Sequence, residues 1–234
     1  MSTAPPALVT SPMHAVVAEV RAALRAAADA ERARGMQAYL KTTEPCLGVR
    51  LPEVRRIVTA AVRTSPPGSV DDVAAGAGTL WRDAAVREER YAAIALTGLP
   101  VARGALQLLP LYQEMITTGA WWDLVDGLAG RVRDLLLADP ATMGPVLRRW
   151  ARDPDRWLRR SAVIAQLGAR ERTDTALLAE VVEVTAADPE FFVRKAIGWA
   201  LRDLTKTDPE WVRRFLAEHE LSPLSRREAA KHLR

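Results

Sequence analysis

Residues 118–130 read TGAWWDLVDGLAG, which places two tryptophans and two aspartates within the six positions from Trp121 to Asp126. On a helix, Trp122 and Asp126 stand four apart and share a face, while Trp121, Leu124, Val125 and Leu128 supply the buried side. Asp123 lies near the helix start and complements its dipole. The chemistry open to an indole beside a carboxylate is electrostatic: both are attracted to positive charge. A second stripe follows, in which Lys195, Trp199, Arg202 and Lys206 fall at i, i+4, i+7 and i+11. A tryptophan flanked on its own face by three cations fits a wet, anion-facing groove better than it fits packing.

Taken singly, these residues have plainer readings. Asp126 reads as a surface acid or the partner of a nearby arginine, Arg160 as a solvated charge, and Trp150, Trp157 and Trp211 as core residues. Cys46 reads as a small buried apolar residue. The constellation, not its members, carries the inference.

The elements that must position these residues are almost wholly helical. Four Asp-Pro pairs, at 139–140, 153–154, 188–189 and 208–209, read as an N-cap carboxylate followed by proline at the first helical position, and Ser222-Pro223 repeats the signal. Apolar residues recur at three and four, as in Leu158, Ala162, Ala165 or Ile197, Leu201, Leu204, and alternating strand-like runs are missing. The pattern predicts helices near 14–34, 52–64, 70–77, 80–98, 102–118, 120–137, 140–152, 155–168, 173–187, 190–206, 209–219 and 223–233.

Internal repetition is faint but present. ERYAAIALTG (89–98) matches RRSAVIAQLG (159–168), and WLRRSAVIAQL (157–167) matches FFVRKAIGWAL (191–201) at an offset of 34. Arg90, Arg160 and Arg194 become equivalent, and 34 back from Arg160 lies Asp126, so one repeat carries an acid where its neighbours carry arginine. A solenoid of helix pairs would line such positions up along a concave face.

Composition bounds the function. With 49% apolar and 26% charged residues, the 234-residue chain has the balance of a soluble globular protein, read as a flexible segment over 1–12 and a single helical-repeat domain over 13–234. One cysteine excludes an internal disulfide framework, and with three scattered histidines it offers no metal cluster of known spacing, so neither metal nor cofactor is expected and a reducing cytoplasm suits the chain. The N-terminal MSTAPPALVTSPMHAVV lacks the charged and apolar regions of an export signal, and no later stretch reaches the roughly 18 apolar residues of a membrane span. Net charge is +4 and the cations are overwhelmingly arginine, whose planar fork suits phosphate.

At these residues the chain resembles the DNA alkylation repair glycosylases of the AlkD type, built from HEAT-like helical repeats. The resemblance runs from about Tyr39 to the end and is strongest in WWDLVD (121–126), WLRRSAVIAQL (157–167), FFVRKAIGWALRDLTKT (191–207) and ELSPLSRREAAKHL (220–233). It implies an all-α superhelical array of antiparallel helix pairs with a basic concave face. It also implies hydrolysis of the N-glycosidic bond of cationic N3- or N7-alkylated purines in duplex DNA, without flipping the nucleotide, by a monomer of the cytoplasm that associates with the nucleoid. Carried over by residue, Asp126 is the catalytic carboxylate, Trp122 and Trp199 the aromatic walls at the lesion, Arg160 a basic companion in the same cleft, and Tyr39 a tyrosine near the site. Arg50, in CLGVRLPE (46–53), stands where the family is expected to carry glutamine. Phosphate contacts fall to Arg90, Arg159, Arg194, Lys195, Arg202, Lys206, Arg226 and Arg227.

The reaction explains the set. An alkylated purine is a good leaving group, its departure develops positive charge on the deoxyribose, and a nearby carboxylate opposes that charge and orients water. Indole faces add cation–π attraction of about 0.5–2 kcal/mol each. A branch specialised for bulky natural-product adducts, serving self-resistance, is open on this reading. The alternatives are a non-catalytic DNA-binding protein of the same fold, against which the retention of Asp126 and both tryptophans argues, and a scaffold for a protein partner, which would want an apolar groove instead of arginine.

Overall fold

A computed structural model describes residues 12–233. The predicted flexible segment therefore lies outside the described residues except for Pro12, which opens the first helix. Among the described residues there are thirteen α-helices, four 3-10 turns and no strand. No helix among them is long and apolar enough to cross a membrane. The chain forms two compact units that divide after Ala102.

The first unit holds α1 (Pro12–Ala26), α2 (Ala30–Leu40), α3 (Leu51–Thr64), α4 (Val70–Arg82) and α5 (Arg87–Leu96). α1 packs on α3 and α4, and Val16, Val20 and Leu24 of α1, Val54 and Val58 of α3 and Leu80 of α4 are all fully or nearly fully buried in its core. The helix expected over 14–34 is in fact two. Asp29 turns extended, accepts the Arg32 amide at 2.9 Å and donates its own amide to the Leu47 carbonyl at 2.7 Å, so α2 starts afresh from an N-cap. The helices expected over 70–77 and 80–98 also divide differently. α4 runs on through Gly76 to Arg82, and glycine is needed at 76 because a side chain there would sit 2.6 Å from Met13 Cε and 3.1 Å from Leu96 Cδ2. The break falls at 83–86, where the buried Glu89 carboxylate accepts the Ala85 amide and is flanked by Arg21 and Arg25.

The segment that carries Cys46 and Arg50 is held by one buried acid. Glu88 accepts the backbone amides of Leu47, Gly48 and Val49 at 2.9, 2.8 and 3.1 Å. Gly48 has φ +82, and a Cβ there would come within 2.3 Å of the Asp29 carbonyl oxygen. Gly48→Ala is therefore expected to cost at least about 2 kcal/mol, more than the left-handed conformation alone, because backbone must move as well. Thermal unfolding should show a drop of several degrees; a melting temperature within about 2 °C of the parent would count against this account. Cys46 is half-buried rather than buried, because its Sγ lies over the chain turn at Glu44, 3.7 Å from that carbonyl oxygen.

The second unit contains α6 (Leu109–Gly119), α7 (Trp122–Ala138), α8 (Pro140–Trp150), α9 (Arg156–Ile164), α10 (Thr175–Thr185), α11 (Phe191–Leu204), α12 (Pro209–Glu218) and α13 (Pro223–Ala229). The helix expected from 102 begins at Leu109, after two short 3-10 turns. α7 packs on α9, α9 on α11 and α11 on α13, while α8 packs on α10 behind them. The 34-residue step is visible as contacts: Asp126 with Arg160, Arg133 with the Leu167 carbonyl, and Arg156 with Glu190 each join residues 34 apart. Equivalent positions of successive second helices thus face one another. Trp150 and Trp157 are core residues as expected, whereas Trp211 is half-buried, stacked on Phe215.

Two of the four Asp-Pro pairs cap helices as predicted, since Asp139 accepts the Thr142 amide and Asp208 the Trp211 amide. Asp153 and Asp188 do not. Each accepts the amide two residues on, that of Asp155 or Glu190, and forms a side-chain turn that precedes the helix. α9 is capped instead by Asp155, which accepts from Trp157 and Leu158.

Candidate active site

α7 begins at the tryptophan pair. Trp121 is the extended N-cap residue, φ −150, Trp122 opens the helix, and Asp126 sits one turn further along. Leu124, Val125 and Leu128 are completely buried, as the periodicity predicts. Trp121 is half-buried in an aromatic cluster, with its ring 6.1 Å from Trp157 and 5.6 Å from Phe192, which are themselves 5.1 Å apart.

Arg160, on α9, meets Asp126 fork to fork. Its Nε and Nη2 each donate to one carboxylate oxygen at 2.7 Å, and Nη1 donates to the Phe192 carbonyl. The guanidinium lies 6.0 Å from the Phe192 ring centroid, and its side chain is only 4% exposed against 18% for Asp126. A bidentate pair of this kind fixes orientation as well as charge. A carboxylate has about four acceptor directions, so two remain after Arg160 is served, and the carboxylate lines an open cleft into which they can be used. Burial pushes the Asp126 carboxyl above its ordinary range; hydrogen bonding and attraction to Arg160 oppose this without cancelling it, and Asp123 adds a small upward push.

The cleft has a volume of about 280 Å³. Trp122 and Asp126 form one wall with Arg160 at its base, and Trp199, Lys195 and Arg202 of α11 form the other. Phe191, 52% exposed, stands at the opening with its ring edge-on to Phe192. The two stripes read from the sequence thus converge on one place.

Behind α11 stands an acid. Glu228 of α13, 6% exposed, is 2.8 Å from Lys195 Nζ, 3.0 Å from Arg202 Nη1 and 2.8 Å from Lys231 Nζ. Hydrogen bonds from Lys195 and then Lys231 lower its pKa to about 2, burial working against them. Because the folded value lies below the ordinary 4.5, the stability Glu228 contributes is present above that pH and is lost as pH falls toward 2.

The remaining predicted residues have other placements. Lys206 is exposed, pairs with Asp203 at 2.6 Å and lies outside the cleft lining, one turn past Arg202. Arg159 is turned the other way, to Asp188 at 2.6 Å and the carbonyls of Asp153 and Pro154, so its guanidinium closes the α9 turn. Arg194 points toward a separate hollow beside Pro189 and Leu221, with a buried Nε that has no hydrogen-bond partner. Arg226 binds the carbonyls of Leu216 and His219, and Arg227 is exposed on α13. In the first unit, Tyr39 is 74% exposed near the end of α2, Arg50 is exposed at the start of α3, and Arg90 pairs with Glu44 at 2.9 Å beneath the Trp81 ring. Arg160 is not the solvated charge it reads as when taken singly: every nitrogen of its guanidinium donates inside the protein.

Two residues that line the cleft, and one behind it, escape the sequence reading. Phe191 and Phe192 open the segment 191–207, and two successive aromatics at a helix start beside the basic stripe are the available signal. For Glu228 only Lys231 is near in sequence; the partners that tie it to the cleft, Arg202 and Lys195, are 26 and 33 residues earlier on another helix. The Asp126–Arg160 pair was implicit in the 34-residue offset, which sets an acid opposite a base on adjoining helices.

A sequence model of the family described as DNA alkylation repair enzyme matches residues 20–233. A solved structure described as a predicted DNA alkylation repair enzyme from Enterococcus faecalis is 29% identical, with a TM-score of 0.78 over 88% of this chain and 96% of that one. The Pseudomonas fluorescens alkylpurine DNA glycosylase AlkC, bound to DNA containing an abasic site analog, is 20% identical with a TM-score of 0.43, and the match covers 95% of this chain and 61% of that one. No curated protein matches the sequence.

Proposed function

Since the chain belongs to the DNA alkylation repair enzyme family, we propose that it is a DNA glycosylase that hydrolyses the N-glycosidic bond of N3- or N7-alkylated purines in duplex DNA. One observation carries this reading: an ionisable carboxylate, Asp126, held by both oxygens on Arg160, faces a cleft walled by Trp122 and Trp199 and edged by cations. The substrate is already cationic, so the enzyme has little need of a general acid. What it must provide is negative charge where the sugar becomes positive, and a preorganised carboxylate in a partly desolvated site does so without reorganising.

The other residues take their roles from position. Trp122 and Trp199 offer indole faces to the sugar and the cationic base. Lys195 and Arg202 lie on the same wall as Trp199 and attract the phosphates on either side of the lesion, which fixes register without reading sequence. Arg160 serves Asp126 and not the DNA. The nucleotide remains in the duplex on this reading, which the resemblance supports together with a site made of two facing walls. Tyr39, Arg50 and Arg90 are assigned to the DNA on the resemblance alone, and the single helical-repeat domain, the monomer and the nucleoid-associated location rest on it too. A non-catalytic DNA-binding role is the weaker reading, because binding alone gives no reason to desolvate an acid and then fasten it by both oxygens.

The test is direct. Incubation with duplex DNA containing one 7-methylguanine or 3-alkyladenine should free the modified base above the spontaneous rate, and unmodified DNA should remain intact. Tight binding to the alkylated duplex with no base freed would overturn the assignment in favour of a binding protein.

A further inference from the structure

We propose that Glu228 is a positioning residue that tethers Lys195 and Arg202 to the outer wall of the cleft, so that their charge holds DNA without neutralising Asp126. The proposal rests on the glycosylase reading and concerns how one small cleft keeps opposite charges apart. Lys195 and Arg202 line the same cleft as Asp126. An unrestrained ammonium on a four-carbon stem would find the nearest carboxylate, and Asp126 still has two acceptor directions open. Pairing there would cancel the charge meant for the nascent sugar cation.

The architecture provides an alternative partner. Lys195, Gly198 and Arg202 fall at i, i+3 and i+7 on α11 and so share a face. Gly198, between the two cations, has no side chain, and a Cβ there would lie 2.4 Å from Glu228 Cβ and 2.8 Å from the Ser225 carbonyl oxygen. α13 occupies that gap. It is pinned by Ser225 Oγ, which donates to the Arg194 carbonyl at 2.9 Å, and it delivers the buried Glu228 carboxylate to Lys195 from one side and Arg202 from the other. Lys231 binds the same carboxylate, so three cations share one acid and the cluster keeps a surplus of two positive charges. That surplus draws phosphate while the geometry holds each head in place. Glu228 itself is too deeply buried to touch DNA.

A structural prop and a tether differ in what the Glu228→Gln variant does. With the acid gone, the cleft becomes more positive and Lys195 is released toward Asp126. Binding to a duplex containing an abasic-site analogue should tighten by about threefold at low salt, with a steeper loss of affinity as salt rises. The single-turnover rate of base release should fall by about tenfold, because the catalytic charge is now partly neutralised. Affinity and rate thus move in opposite senses. Adding Lys195→Met to Glu228→Gln should recover at least about half of the lost rate on a logarithmic scale while weakening DNA binding. Glu228→Asp, which keeps the charge and shortens the reach, should leave affinity close to the parent's while losing part of the rate, again recovered by Lys195→Met, and it decides the matter if the Gln variant does not fold.

Weaker binding and slower release together, unrelieved by Lys195→Met, would reduce Glu228 to a structural residue and overturn the proposal. Unchanged rate and affinity would overturn it equally. A parent protein that frees no alkylated base would sink the glycosylase reading instead, and the affinity arm would still judge the tether, since Glu228→Gln must then tighten binding for it to stand.

Discussion

Asp126→Asn lowers the single-turnover rate of 7-methylguanine or 3-alkyladenine release by roughly 10²–10³-fold, the usual loss when one preorganised electrostatic stabiliser is removed. The substitution is nearly isosteric, but its amide oxygen accepts from only one of the two Arg160 nitrogens and the buried guanidinium loses its counter-charge, so a lower melting temperature is expected and the rate is compared where thermal unfolding shows the variant folded. What disappears is the negative charge. The pH dependence makes the same point independently. The working form of Asp126 is the carboxylate, and burial raises its proton affinity above that of an ordinary aspartate. Lowering pH through that raised value protonates the carboxylate, so the parent loses rate in a step that lies above the ordinary 3.8. In the Asn variant that step is absent and the residual rate follows only the spontaneous chemistry. Equal rates for parent and variant at neutral pH would remove Asp126 from the mechanism.

Much of this site was legible because helices and repeats are periodic. Trp122 and Asp126 at i and i+4, and Lys195, Trp199 and Arg202 at i, i+4 and i+7, had to share faces wherever those helices packed. The 34-residue offset then placed Arg160 beside Asp126. The losses have a physical cause as well. Asp29 interrupts an alanine-rich run that reads as continuous helix, and its own amide finds the Leu47 carbonyl, a partner 18 residues away. Asp153 and Asp188 have the composition of caps, yet the turn they form consumes their carboxylates before the helix begins. Arg159 and Arg160 are neighbours in sequence and look alike there. One turns to the carbonyls at the start of its helix and the other to the Asp126 carboxylate, and only tertiary packing separates them. Glu228 illustrates the same limit, since a buried acid behind a basic stripe is set by the α11–α13 crossing at Gly198 and by no local pattern.

Arg160→Leu should damage the protein in two separable ways. The first is stability. Leucine leaves Asp126 partly buried without its partner and strips the Phe192 carbonyl of its donor, and orphaning a buried charge costs roughly 3–5 kcal/mol. For a chain of this size that corresponds to a fall in melting temperature of about 10 °C. The second is catalytic and shows its own pH signature. Arg160 is the main influence holding the Asp126 proton affinity down against burial, so its removal raises that affinity further. The carboxylate is then held by no fork and keeps its proton to higher pH, and with orientation and charge both impaired release should slow by about 100-fold. Raising the pH re-ionises the carboxylate, and the variant should regain part of its rate over a range in which the parent is flat. Arg160→Lys keeps the charge but not the fork, so it should fall between the two in both stability and rate. An arginine that instead gripped phosphate would behave differently: its loss would weaken DNA binding and flatten the salt dependence while leaving the position of the acid step unchanged. The pH profile of Arg160→Leu therefore decides whether this guanidinium acts on the DNA or on the carboxylate beside it.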